Sequence, residues 1–251
     1  MVRSADDAAR TYNADRAREL LARLARLAGR EPGPDSLREA IAGANRARAA
    51  ARRLVALRVD KPRITGSDAM PLLGAFWQLE PERYASLATA AVDSLTRRAP
   101  LDAPRVLVAG VPVDGTTLHA DIEAAGAVVV AELSPFGTSG ARADIEVSGD
   151  PFAALADYYA RKSIDARLPV NALMQELDDA LRIADAVVIS LPADDASFGW
   201  DYRRIRELLA RRSIPHTVLT GDAASGLTAA DRARIDSLLR AAAAQREKRC
   251  G

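Results

Sequence analysis

The chain has 251 residues, 49% of them apolar, and its 35 basic and 34 acidic residues leave a formal net charge of +1. That is enough chain to bury a core in one large or two small domains, and the balanced charge excludes a basic face built for nucleic acid or an anionic membrane. A single cysteine, Cys250, excludes a disulfide framework within the chain and an all-cysteine metal site.

The opening MVRSADDAARTY has no apolar stretch of the kind a signal peptide needs. No apolar run is long enough for a membrane span, so a cytoplasmic protein is expected. Apolar positions at Ala9, Leu20, Leu21, Leu24 and Leu27 predict a helix over 6–28, stopped by Gly29. Gly33-Pro34-Asp35-Ser36 reads as a turn, with Asp35 or Ser36 as N-cap and Glu39 completing a capping box. A second helix is predicted to about Leu57, then a loop over 61–67, then helices over 68–78 and 81–98. Residues 1–100 are thus expected to be a helical region.

The pattern changes at Pro100. Continuous apolar runs at 105–110, 127–133, 186–191 and 215–220 predict four strands. They alternate with predicted helices at 116–125, 151–161, 171–183 and 201–212, and Thr228 is placed to cap a last helix. Strands without polar alternation, separated by helices, imply a parallel sheet covered on both faces. The fold class expected is α/β: a helical N-terminal region, then a Rossmann-like or flavodoxin-like domain over 101–251 with a four-stranded parallel sheet.

Several chemistries are missing. The first strand–helix turn, Gly110-Val111-Pro112-Val113-Asp114-Gly115, has no GxGxxG pattern and no P-loop. An ordinary tight turn is the simpler reading of it, with an anion site at the following helix as the alternative. His119 and His216 stand apart from other ligand types and from any GxSxG nucleophile, and are expected to be surface or satisfied histidines. The loop after the third strand, LPADDASFGWDY, is the richest in the chain. Asp194 and Asp195 are either solvated acids or part of a pocket. Trp200 is either a core anchor or part of a pocket or subunit interface, where Trp and Tyr are enriched.

The motifs, taken in order, resemble the 2-hydroxyacyl-CoA dehydratase family, which includes the benzoyl-CoA reductase subunits. The resemblance is carried by SLREAIAGANRARAAARRLVALR with its Asn45 and Arg48, PRITGSDAM, and RVLVAGVPVDGTTLHADIEAAGAVVVAEL. DPFAALADYYARK and ADAVVISL…FGWDYRRIRELLARRSIPHTVLTGD continue it. It corresponds to about the C-terminal two-thirds of a usual family subunit; the family's N-terminal α/β domain is expected to be missing. In that family, thiolates hold an iron–sulfur cluster, an activator supplies a low-potential electron, and an acyl-CoA thioester is dehydrated or an aromatic ring reduced. The resemblance implies ligand-binding roles for Thr65, Gly66, Ser134, Asp194, Asp195 and Trp200. It also implies a loss: Ser134 or Pro135 stands where one family cysteine belongs, and Asp194 or Asp195 where another does. The expectation is a cluster-free accessory subunit, not catalytic alone, that binds no cofactor itself and shapes an acyl-CoA site. The iron–sulfur cluster would lie in a cluster-bearing homologous subunit. The alternatives are a small-ligand or protein-binding module without redox chemistry, and a redox enzyme with non-cysteine cluster ligands.

Overall fold

The computed structural model describes residues 6–33, 35–111, 115–133, 138–161, 170–192, 195, 198–221 and 226–250. Strands β1 (Arg105–Gly110), β2 (Val128–Leu133), β3 (Ala186–Ser190) and β4 (His216–Leu219) form one parallel sheet in the order β2-β1-β3-β4. Their continuous Val, Ile, Leu and Ala content follows from burial on both faces. On one face Val106, Val108, Val129 and Val188 pack against α5 (Thr117–Ala124) and α9 (Ala229–Cys250), through Leu118, Ile122, Ile235, Leu238 and Leu239. On the other, Leu107, Ala131, Val187 and Ile189 meet α7 (Val170–Ala180) and α8 (Phe198–Arg211), through Leu177, Ile205 and Leu209. No described helix is long and apolar enough to cross a membrane.

The first hundred residues supply α1 (Asp7–Ala28), α2 (Ser36–Ala56), α3 (Gly66–Gly74) and α4 (Pro81–Leu95). Helix α1 ends at Gly29, as its periodicity predicts. The capping box predicted for α2 does not form: Ser36 Oγ donates to the Gly33 carbonyl instead, at 2.7 Å, and Asp35 makes no side-chain cap. Thr228 does cap α9, accepting from Asp231 N at 3.2 Å and donating to its carboxylate at 2.6 Å. The helix predicted over 68–78 appears as α3 followed by a 3-10 turn at Ala75–Trp77, whereas the 3-10 turn at Thr138–Ala141 has no counterpart in the sequence pattern.

These helices pack onto the sheet side of the molecule within the same chain. Asn45 of α2 pairs with the backbone of Ile145 in both directions, each bond 2.9 Å. Arg48 donates to Asn45 at 3.1 Å, and its guanidinium lies 4.9 Å over the Tyr158 ring of α6 (Pro151–Arg161). The Asn-x-x-Arg step is therefore a joint between α2 and α6.

At the centre of the sheet β1 and β3 come together closely. Gly110, at φ +111°, donates no side chain to the contact, and a Cβ there would lie 2.1 Å from the Ser190 carbonyl oxygen. Val111 N donates to that oxygen at 2.9 Å. Gly110→Ala is expected to cost about 3 kcal/mol through overpacking and the positive φ. Gly74→Ala, with open space around its Cβ, should be neutral or stabilise by about 0.5 kcal/mol. Urea denaturation of both variants checks this; an undamaged Gly110→Ala variant would contradict the close approach.

Candidate functional site

In an open α/β sheet, ligands sit past the carboxyl ends of the strands, where the strand order reverses. Here that place lies beyond Gly110 of β1 and Ser190 of β3. Asp195 follows β3 and its Oδ2 accepts from Gly199 N at 2.8 Å, fixing the entry into α8. Trp200, in the first turn of α8, is 85% exposed, which rules out a core-anchor role. Ser134, Pro135 and Asp194 lie outside the described residues.

Thr65 and Gly66 are elsewhere. Thr65 caps α3, its Oγ1 accepting from Asp68 N at 3.1 Å. Gly66 lies against the outer edge of β2, where a Cβ would come within 2.6 Å of Val129 Cβ. The amides that open α3 are already engaged: Glu123 accepts from Gly66 N at 2.5 Å, Ser67 N at 3.1 Å and Ser67 Oγ at 2.5 Å. A carboxylate at a helix N-terminus is the anion that such a terminus favours, and here it is internal. With β1 standing between β2 and β3, the structure does not bring Thr65 and Gly66 together with Asp195 and Trp200.

The densest polar arrangement involves residues that the sequence reading did not single out as a site. A β-bulge in β2 shifts the register, so that Val106 pairs with Val129 while Val108 pairs with Glu132. Glu132 thereby shares a face with Val129 and points at α5. Arg58, just past α2 and fully buried, donates Nη1 to Glu132 Oε2 at 2.8 Å and Nη2 to Oε1 at 2.5 Å. Its Nη2 also donates to the Val129 carbonyl at 2.9 Å. His119 of α5 places Nε2 3.0 Å from Glu132 Oε1. A carboxylate only accepts, so Nε2 carries the hydrogen. His119 is thus a buried histidine, satisfied at one nitrogen; among the described residues its Nδ1 and Arg58 Nε have no partner.

Burial pushes the Glu132 carboxyl up, but the Arg58 charge and the hydrogen bonds from His119 and Arg58 outweigh it and hold the group down to about 2. A carboxylate this acidic and this fully engaged is a clamp rather than a proton shuttle near neutral pH. The legible signal was Glu132 itself, a lone acid within the apolar run VVVAEL, since a charge in a doubly covered strand requires a partner.

The donor set does not fit a thiolate-held cluster. Among the described residues no group of three or more His, Cys, Asp or Glu side chains could hold a metal ion. The one cysteine of the sequence ends α9. Four residues earlier, Arg246 bonds Asp102 at 2.9 Å and lies 3.9 Å from Asp185, both just ahead of strand starts. Helix α9 therefore carries Cys250 to the edge of the sheet opposite Asp195 and Trp200. A cleft of about 500 Å³ at that opposite edge is lined by Lys61, Leu101, Arg105 and Asp185. Its principal charges are already paired, Arg105 with Asp185 at 3.0 Å.

Breaking the clamp from one side strands a buried charge. Arg58→Met is expected to cost about 3–5 kcal/mol at neutral pH, and Arg58→Met with Glu132→Leu should recover most of it. Because the folded Glu132 value lies below the ordinary 4.5, its contribution is complete above that value. It is lost as pH falls through about 2, an acid-limb effect on the order of 3 kcal/mol. Urea titrations from pH 7 to 2 measure both effects; a silent Arg58→Met contradicts the clamp.

No curated protein matches the chain. The profile of one family, described as 2-hydroxyglutaryl-CoA dehydratase, D-component, matches residues 2–240. That span takes in the helical region, the clamp and all four strands, so the fold and the residues that join its parts lie within the match. The chain belongs to the 2-hydroxyglutaryl-CoA dehydratase D-component family.

Proposed function

We propose that this chain is a cluster-free accessory subunit of a 2-hydroxyacyl-CoA dehydratase or benzoyl-CoA-reductase-type complex. It helps to shape the acyl-CoA site and stabilises a cluster-bearing homologous subunit. The observation that carries this reading is the pairing of family membership with a single cysteine, which α9 takes to the sheet edge opposite the candidate ligand edge. Iron–sulfur clusters need soft thiolate ligands, so the cluster belongs to the partner. The exposed Trp200 and the capped turn at Asp195 then serve as contact surface for substrate or partner. A thiolate-dependent complex of this kind belongs in the reducing cytoplasm.

Co-expression with a cluster-bearing subunit of the same family from the same genome tests the proposal. A stable heteromer is expected by light scattering, with a melting temperature raised by acyl-CoA thioesters through mass action. The chain alone, incubated anaerobically with iron and sulfide, should stay colourless. A brown isolated chain, or one that ignores every such subunit, overturns the assignment.

A further inference from the structure

Helix α1 is only half covered. It lies antiparallel to α6, with Arg10 Nε 3.7 Å from Asp157 Oδ1 and Arg18 Nη2 2.5 Å from Asp150 Oδ2. The Arg18 guanidinium also sits 5.1 Å over the Phe152 ring. Asp150 immediately precedes α6, so α6 covers nothing beyond Arg18. The face of α1 continues past that point. Ala9, Asn13, Leu20, Leu24 and Leu27 follow one another in steps of three, four or seven residues, which keeps them on one side of a helix. Ala9 and Asn13 are buried, whereas Leu20, Leu24 and Leu27 are 59%, 50% and 84% exposed. Ala25 in the same turns is buried, so this half of α1 is held to the body while its leucines face outward.

The flanking charge identifies what fits there. Residues 20–30 carry Arg23, Arg26 and Arg30 and no acid; Arg23 reaches back to Glu19 at 2.6 Å, which leaves Arg26 and Arg30 as the charges beside the stripe that a partner would meet. Two copies of the chain joined along this stripe would set arginines against arginines. The covered half shows the complementary solution: apolar contact plus aspartates from α6 on the arginines of α1. We infer that Leu20, Leu24 and Leu27 form a docking surface for an acidic amphipathic helix of the partner subunit, extending the α1–α6 interface in trans. It rests on the accessory-subunit assignment and names the face through which the pairing occurs. Apolar side chains at the centre supply the affinity, and the arginines supply register and salt sensitivity.

The test uses the full chain and the co-expressed cluster-bearing subunit. Leu20→Ser, Leu24→Ser and Leu27→Ser combined should weaken the heteromer at least tenfold while leaving the melting temperature of the isolated chain unchanged. Arg26→Glu with Arg30→Glu should weaken it as well and flatten its dependence on salt. A triple variant that pairs as tightly as the wild type overturns the docking surface and leaves the accessory role standing. A wild type that pairs with no such subunit overturns both. Two other outcomes also overturn it: a homodimer of the isolated chain that the triple variant loses, and stripe-dependent binding to phosphatidylglycerol vesicles.

Discussion

Val129 stands at the free edge of β2, and both its outward backbone groups must find partners without water. Glu123 accepts from its N–H at 3.2 Å and Arg58 donates to its carbonyl. An exposed parallel edge invites pairing with another strand, and these two side chains close it. Each also reaches further. Glu123 holds the amides that open α3, and Arg58 forks onto Glu132, which His119 steadies from α5. One set of charges, buried at Arg58 and Glu132 and half-buried at Glu123, thus joins α2, α3, α5 and β2, so the helical region is docked on the sheet rather than tethered beside it. The close seat of Gly66 on Val129 is the steric side of the same contact.

Much of the fold was legible in the sequence. The strands were found within a residue or so, because apolar runs such as AVVIS leave no alternative to a strand buried on both faces. The helices were legible from their stops and their periodicity. Local rules failed where tertiary contacts decide. Ser36 turned back to Gly33 instead of forming a box with Glu39, and of the two places open to Trp200 only the packing selects the exposed one. The clamp was invisible for a plainer reason: Arg58 and Glu132 are 74 residues apart, and no periodicity links them. The family-like Asn45 and Arg48 were noticed, but their role as a joint to Ile145 and Tyr158 emerges only from the packing.

The same division explains what the chain retains of its family. The span that matches the family contains the parts that build the scaffold: the α2 joint, the clamped β2 edge and the β1–β3 junction at Gly110. The sequence holds one thiol, Cys250 at the end of α9, and in the proposed reading the soft ligands that cluster chemistry demands come from the partner. The exposed tryptophan beside the ligand edge and the half-covered α1 are the surfaces that the proposed pairing would use. Its buried polar groups fix geometry; Glu132, held near 2 by its neighbours, has no proton to give at neutral pH.

Iron-edge anomalous diffraction from crystals of the two-subunit complex would locate the cluster directly. The account predicts an iron peak inside the cluster-bearing partner and none beside Leu133, where β2 of this chain ends. An iron peak coordinated by this chain at that position would contradict it.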